Sequence, residues 1–191
     1  MRYSEISRKT LETDIYVSVN LDGQGVAKLD FEPIFMKHMV TAMTVHSSFD
    51  VKVVAKGDLN HHIIEDIALC LGQAIREAIG DTGKIARYGQ AIIPMDCSLA
   101  LAAVDICNRS YSVVDLCSQV SFVEDTQCED VEHFLRSFST NLGSTIHLKV
   151  FYGMNEHHKI EATFKALGKA LKQAVVIREE KSPQTSSKGI L

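Results

Sequence analysis

The chain has 191 residues, of which 46% are hydrophobic, and a formal net charge of -4. This length can bury a full core as one domain or as two fused half-domains of about 95 residues each, and we favour the second organisation. The 20 lysines and arginines are scattered, which excludes a basic field for nucleic acid, and no window approaches the roughly 18 apolar residues that cross a membrane.

The N-terminus and the cysteines indicate a cytoplasmic protein. The first residues are charged and lack the apolar segment of a signal peptide. The five cysteines are odd in number and never spaced Cys-x-x-Cys, so we expect reduced core thiols. The scattered basic residues and the lack of a long apolar window predict neither nucleic acid nor a membrane as a partner.

The first half of the chain predicts two strands, a helix, a strand and a helix. Asp22-Gly23 favours a hairpin between the first two strands, Pro33 favours the first turn of a helix, and Gly80 favours a helix end. The predicted strands cover 15–21, 26–31 and 49–55, and the helices cover 33–46 and 61–79.

The second half repeats this order with one extra strand. Its predicted strands cover 88–93, 99–107, 111–116 and 145–152, and its helices cover 134–142 and 157–176. The elements predict an α+β fold of two fused, duplicated half-domains, 1–82 and 83–177, each a small sheet with two helices on one face and the helical layers packed together. The polar tail, 178–191, is expected to be flexible.

A motif of two adjacent histidines and a glutamate occurs twice, 96 residues apart. The same shift pairs Gly72 with Gly168 and Gly57 with Gly153. A copy made for packing alone requires only apolar positions to match, so repeated imidazoles and carboxylates indicate a function. The copies are His61, His62 and Glu65, and His157, His158 and Glu161.

Helix geometry predicts how these side chains hold two ions. Residues four apart share a helix face, whereas neighbours point about 100° apart, so each adjacent histidine is better placed for the ion of a facing helix. A single His-His pair is more often exposed or structural, but duplication argues against that here. The predicted sets are His61, Glu65 and His158, and His157, Glu161 and His62, each completed by His38 or His147; His46 and His133 receive no role.

Six imidazoles and two carboxylates suit manganese, iron, cobalt or zinc rather than calcium or magnesium. Three nitrogens and one oxygen per ion leave open coordination positions, which are typical of catalysis. The sequence thus predicts a two-metal catalytic site.

Further motifs, in the same order and spacing from end to end, resemble the imidazoleglycerol-phosphate dehydratase family. They are the segments 8–13, 35–39, 57–58, 87–89, 94–96, 108–109, 155–166 and 186–189. The resemblance implies two fused half-domains and a homo-oligomer of twenty-four subunits, with two manganese ions per site at subunit contacts. It implies metal ligation by His38, His61, His62, Glu65, His147, His157, His158 and Glu161.

The resemblance also implies dehydration of imidazole glycerol phosphate to imidazole-acetol phosphate in histidine biosynthesis, through a metal-stabilised imidazolate. Glu12 would be the acid/base carboxylate, and the tail would close over the site. Without the resemblance, Glu12 reads as an exposed strand residue beside Lys9, and the arginines and Lys165 as surface charges. The implied phosphate contacts are Arg87, Arg109, Lys165, Ser186 and Lys188.

Four residues depart from the family pattern, and none of them is a predicted ligand; they are Lys37, Asn60, Ile63 and Cys97. Two alternatives to the dehydratase remain at the level of sequence. One is a non-catalytic cage whose metals only lock subunits together. The other is a different metal-dependent enzyme that acts on a phosphorylated ring compound.

Overall fold

The structure is a computed structural model that describes residues 1–178, and its fold is α+β, as predicted. The helices are α1 (Ile34–Ser47), α2 (Asn60–Ile79), α3 (Cys128–Leu142) and α4 (Glu156–Ala174). The strands are β1 (Tyr3–Lys9), β2 (Thr13–Asn20), β3 (Ala27–Asp30), β4 (Asp50–Gly57), β5 (Tyr88–Met95), β6 (Ser98–Ile106), β7 (Tyr111–Asp115), β8 (Phe122–Val123), β9 (Thr126–Gln127) and β10 (Ser144–Tyr152).

Two four-stranded sheets have the same strand order. The first runs β1-β2-β4-β3 and the second β5-β6-β10-β7, and in each the last pair is parallel while the others are antiparallel. A short hairpin of β8 and β9 is added before α3. Both halves therefore contain three strands, a helix, a strand and a helix.

The predicted hairpin between the strands at 15–21 and 26–31 is wrong, because β3 pairs with β4 instead of β2. The carboxylate of Asp50 explains the difference. Its Oδ1 accepts hydrogen bonds from the backbone N–H groups of Gln24 and Val26, at 2.8 and 3.0 Å, and so holds the loop against the start of β4. β2 itself lies between β4 and β1, and the sequence did not predict strand β1.

Apolar residues on one face of each sheet pack against the helices. In the first sheet Ile15, Val17 and Val19 are buried under α2, and in the second Ala102 and Val104 are buried under α4. These residues belong to one continuous core that both halves share. Within residues 1–178, no helix is both long and apolar enough to cross a membrane.

Two repeat-related glycines let the helices of the two halves approach closely. A Cβ at Gly72 of α2 would lie 2.6 Å from the carbonyl oxygen of Phe138 in α3. A Cβ at Gly168 of α4 would lie 2.5 Å from the carbonyl oxygen of Met43 in α1. The crossings of α2 with α3 and of α4 with α1 therefore both require a residue without a side chain.

Alanine at either crossing should destabilise the fold. Overpacking costs about 1 to 3 kcal/mol, and the upper part of that range, about 2 to 3 kcal/mol, applies here because the facing atoms are backbone oxygens. Alanine regains about 1 kcal/mol of helix propensity, so Gly72→Ala and Gly168→Ala should each lower the free energy of unfolding by about 1 to 2 kcal/mol in urea titrations. Gln73, the exposed neighbour of Gly72, provides the control, because Gln73→Ala should change the free energy of unfolding by less than about 0.5 kcal/mol. Equal effects at Gly72 and Gln73 would contradict this account of the crossing.

Candidate metal centre

The first of two candidate metal groups lies where α1 meets α4, and we call it the α1–α4 group. It consists of His38, His157 and Glu161, whose ligand atoms all lie within 4.8 Å of one another. The Oε2 atom of Glu161 is 3.3 Å from His38 Nε2 and 3.2 Å from His157 Nε2. Two imidazoles thus converge on one carboxylate oxygen, a donor set that suits a divalent transition metal.

A lysine holds the carboxylate of this group. Lys165 Nζ lies 2.9 Å from Glu161 Oε1. Burial alone would raise the pKa of Glu161, but hydrogen bonds from Lys165 and His38 outweigh it, so the pKa lies below its ordinary value. Glu161 is therefore an ionised carboxylate inside the helical interface at neutral pH.

The second group lies where α2 meets α3, and we call it the α2–α3 group. It consists of His61, Glu65 and His133. Glu65 Oε1 is 3.1 Å from His133 Nε2, and the ring centroids of His61 and His133 are 5.2 Å apart. His61 Nδ1 is 2.6 Å from Oδ1 of the buried Asp130, which leaves Nε2 as the His61 nitrogen available to an ion.

The repeat relates the two groups and joins the two halves. His38 and His133 lie 95 residues apart at corresponding places in α1 and α3, whereas His61 and His157 lie 96 residues apart in α2 and α4. Because α1 packs on α4 and α2 packs on α3, each group takes one histidine from one half and a histidine with a glutamate from the other. The sequence missed His133, although its spacing from His38 was the available signal.

The second histidine of each pair points elsewhere. His62 Nδ1 is 2.8 Å from Asp58 Oδ1, and this hydrogen bond raises the pKa of His62. His158 Nε2 is 3.5 Å from Asp96 Oδ2. The expected exchange of His62 and His158 between facing helices is not found within the described chain, because α2 packs on α3 and α4 packs on α1, so α2 and α4 do not face each other.

His147 lies outside both groups in the described structure. It is on β10, in register with Ala103 of β6 and Val113 of β7. Side chains alternate along a strand, and its neighbours Ile146 and Leu148 are buried in the core. His147 is therefore on the sheet face opposite the helices. In the described structure His133, not His147, joins His61 and Glu65.

Glu12 lies in the turn between β1 and β2, not within a strand as the sequence suggested. Its Oε2 atom is 3.8 Å from His62 Nδ1.

The turn between β5 and β6, which corresponds to the turn of Glu12, carries Cys97, whose Sγ is 3.6 Å from His158 Nδ1. Hydrogen bonds from Ser98, the larger effect, and from His158 lower the pKa of the Cys97 thiol to about 6. The cysteine that departs from the family pattern thus sits beside a predicted ligand.

The residues predicted to bind phosphate are spread over the chain. Lys165 lies at the α1–α4 group. Arg87 is buried, its Nη2 donating to Asp105 Oδ2 at 2.9 Å, and its backbone N–H donates to Ala174 O at the opposite end of α4. Arg109 lies in the turn between β6 and β7. Ser186 and Lys188 lie outside the described residues.

The fold and the two groups define a class: duplicated α+β proteins with paired imidazole and carboxylate groups between helices of opposite halves. The chain belongs to the imidazoleglycerol-phosphate dehydratase (IGPD) family, whose model matches residues 32–171. The resemblance inferred from the motifs is therefore confirmed, and the family makes the chain a lyase of histidine biosynthesis.

Relatives and solved structures match along the whole length. The imidazoleglycerol-phosphate dehydratase of Clostridium novyi (strain NT) is 46% identical over 96% of this chain and 95% of its own. That of Thermoanaerobacter sp. (strain X514) is 45% identical over 100% of both chains. A crystal structure of IGPD from Pyrococcus furiosus has a TM-score of 0.85 and 36% identity, covering 97% of this chain and 100% of that one.

Alanine variants of His133 and His147 can be compared directly for their effect on metal binding. If the α2–α3 group holds a divalent ion, His133→Ala should weaken Mn²⁺ binding by at least about tenfold, because it removes one of the donors of that group. His147→Ala should leave binding nearly unchanged. Titration of the metal-free protein with Mn²⁺, following free ion by electron paramagnetic resonance, measures both. A larger loss in His147→Ala than in His133→Ala would restore the original assignment.

Proposed function

We propose that the chain dehydrates imidazole glycerol phosphate to imidazole-acetol phosphate with two bound divalent ions, and that the ions are manganese. The observation that carries the proposal is the pair of histidine and glutamate groups in a chain of this family. The donor set fits, because two imidazoles and one carboxylate suit a borderline divalent ion and leave positions for substrate. Such ions, when bound, would stabilise negative charge on the imidazole ring of the substrate.

Glu12 supports the proton transfer in this proposal. The proton to be removed is on carbon and is weakly acidic, so a base must be held close to it. The Glu12 side chain is 60% exposed, in a turn, beside His62, which we propose as a ligand. A carboxylate in this position can reach a substrate whose ring meets the ions. The proton that it takes from carbon leaves with the departing hydroxyl as water, and the enol that forms becomes the ketone when its hydroxyl proton moves to carbon.

Phosphate binding would turn affinity into orientation of the ring. Cationic side chains and a hydroxyl are suited to grip the phosphate oxygens. Of the proposed residues that lie within 1–178, Lys165 contacts a candidate metal group through Glu161. The five proposed residues are Arg87, Arg109, Lys165, Ser186 and Lys188.

The spacing along α4 argues that each active site draws on more than one subunit. His157 is near the first residue of α4, and the backbone of Arg87 is bound at its last residue, Ala174. At 1.5 Å per residue the two ends lie about 25 Å apart. Imidazole glycerol phosphate separates its ring from its phosphate by only three carbons, so one molecule cannot use both ends of one subunit.

The outer face of the second sheet supports a homo-oligomer. It exposes apolar side chains on three strands, with Ile92 at 56%, Val113 at 38% and Phe151 at 45% of their full surface. The outer face of the first sheet instead carries charges such as Lys52 and Lys56. An exposed apolar face marks an interaction site, and we propose that it joins subunits of the twenty-four-subunit assembly, where His62 and His158 reach metal groups of neighbours.

The role of Glu12 is open to a direct test. Glu12→Gln should abolish metal-dependent formation of the product from imidazole glycerol phosphate, while substrate binding, measured by calorimetry, survives within about threefold. Asp14→Asn, two residues further on the charged outer face, is the matched control and should keep its turnover. Normal turnover in Glu12→Gln would remove this residue from the reaction.

Metal removal should alter both activity and assembly. If the ions are shared between subunits, a chelator should abolish product formation and reduce the particle size in light scattering, and Mn²⁺ should restore both. A particle unchanged by complete removal of the metal would argue for sites within one subunit. Product formation without metal would defeat the proposed reaction.

A further inference from the structure

The two candidate metal groups share their ligand types but differ at one repeat-related position. The crossings of Gly72 and Gly168 place α3 and α1 in correspondence with an offset of 95 residues. With this offset, Asp130 of α3 corresponds to Phe35 of α1. One copy thus has a carboxylate where the other has an aromatic ring.

These two residues make different contacts with the histidine nearest to them. The Asp130 side chain is only 5% exposed, and its Oδ1 lies 2.6 Å from His61 Nδ1. Phe35 instead presents its ring to His157, with the centroids 5.1 Å apart. The Nδ1 atom of His157 meets Glu124, 3.1 Å away, whose side chain is 60% exposed. The carboxylate partner is therefore buried in one group and solvated in the other.

A buried carboxylate at the second nitrogen changes what a histidine offers to a metal. It accepts the Nδ1 proton in a short, charge-assisted hydrogen bond, which holds the ring in one orientation and one tautomer. The other nitrogen is then presented to the ion and is more basic. An exposed carboxylate on a turn gives less of both effects, because solvent screens it and its side chain is free to move.

The glutamates of the two groups, Glu161 and Glu65, also differ in a way that favours metal binding by the α2–α3 group. Lys165 pairs with Glu161 at 2.9 Å, so a cation already sits beside the α1–α4 group and opposes a divalent ion. Among the described residues, no lysine or arginine forms an ion pair with Glu65, whose neighbours in the group are the imidazoles of His61 and His133. The buried carboxylate at His61 and the absence of a paired cation at Glu65 within residues 1–178 both favour the α2–α3 group as the tighter binding site.

We propose that Asp130 is a positioning residue that makes His61 the stronger ligand, and that the α2–α3 group binds its divalent ion more tightly than the α1–α4 group. The two positions then fill one after the other as the metal concentration rises. The inference rests on the proposed function only in taking the two groups as metal sites.

The test is a titration of the full-length, metal-free protein with Mn²⁺, with free ion followed by electron paramagnetic resonance. The wild type should show two classes of site. Asp130→Leu should weaken the tighter class by about 10- to 100-fold, the usual effect of losing such a partner, and leave the weaker class unchanged. Asp130→Asn keeps a hydrogen-bond acceptor without the charge, so its loss should be smaller.

Two controls separate positioning from a general effect on the fold. Glu129→Gln removes an exposed negative charge from the same first turn of α3 and should change neither class by more than about threefold. Absorption of the Co²⁺-loaded protein should change for the first ion bound in the Asp130 variants and remain the same for the second. Should Asp130→Leu not fold, the nearly isosteric Asp130→Asn decides.

Two outcomes would overturn the inference. One is a single class of site in the wild type, and the other is a tighter class that both Asp130 variants leave intact. In either case two bound ions per chain would still support the proposed function. Wild-type protein that binds no divalent ion would instead overturn the metal sites themselves.

Discussion

The close crossing of α2 with α3 and of α4 with α1 is the constraint on which the candidate site depends. Each group takes donors from two helices, so the distances between donors are set by how near the two backbones approach. Gly72 and Gly168 lie at these crossings, where a Cβ would press on the carbonyl oxygen of the facing helix. The packing that completes the core therefore also brings the imidazoles to the carboxylates.

Duplication kept the donors and let their surroundings diverge. The histidine and glutamate positions correspond between the copies, but Lys165 of α4 corresponds to Leu69 of α2, and Asp130 of α3 to Phe35 of α1. Each change alters charge near a donor without altering the donor itself. The two candidate groups of a fold with nearly equal halves thus lie in unequal electrostatic surroundings.

Elements with strong periodicity were predictable from the sequence, and elements set by long-range contacts were not. All four helices were located, and the pairing of His61 with Glu65 followed from their four-residue spacing. Strand β1 was missed because Ser4 is its only fully buried residue, so it lacks an apolar alternation. The position of β3 depends on Asp50, 20 or more residues away, and no local pattern reports that contact.

The histidine pairs show why one chain is not enough for the proposed site. Neighbouring residues on a helix diverge by about 100°, so His61 and His62 cannot both face the α2–α3 group. In each pair the first histidine joins the group inside the chain, and the second, also in the first turn of its helix, faces an acidic partner outside the helix, Asp58 or Asp96. If those outer imidazoles bind ions of neighbouring subunits, as we propose, metal binding and assembly become one linked equilibrium, because an ion that bridges two chains stabilises their contact by its own binding free energy.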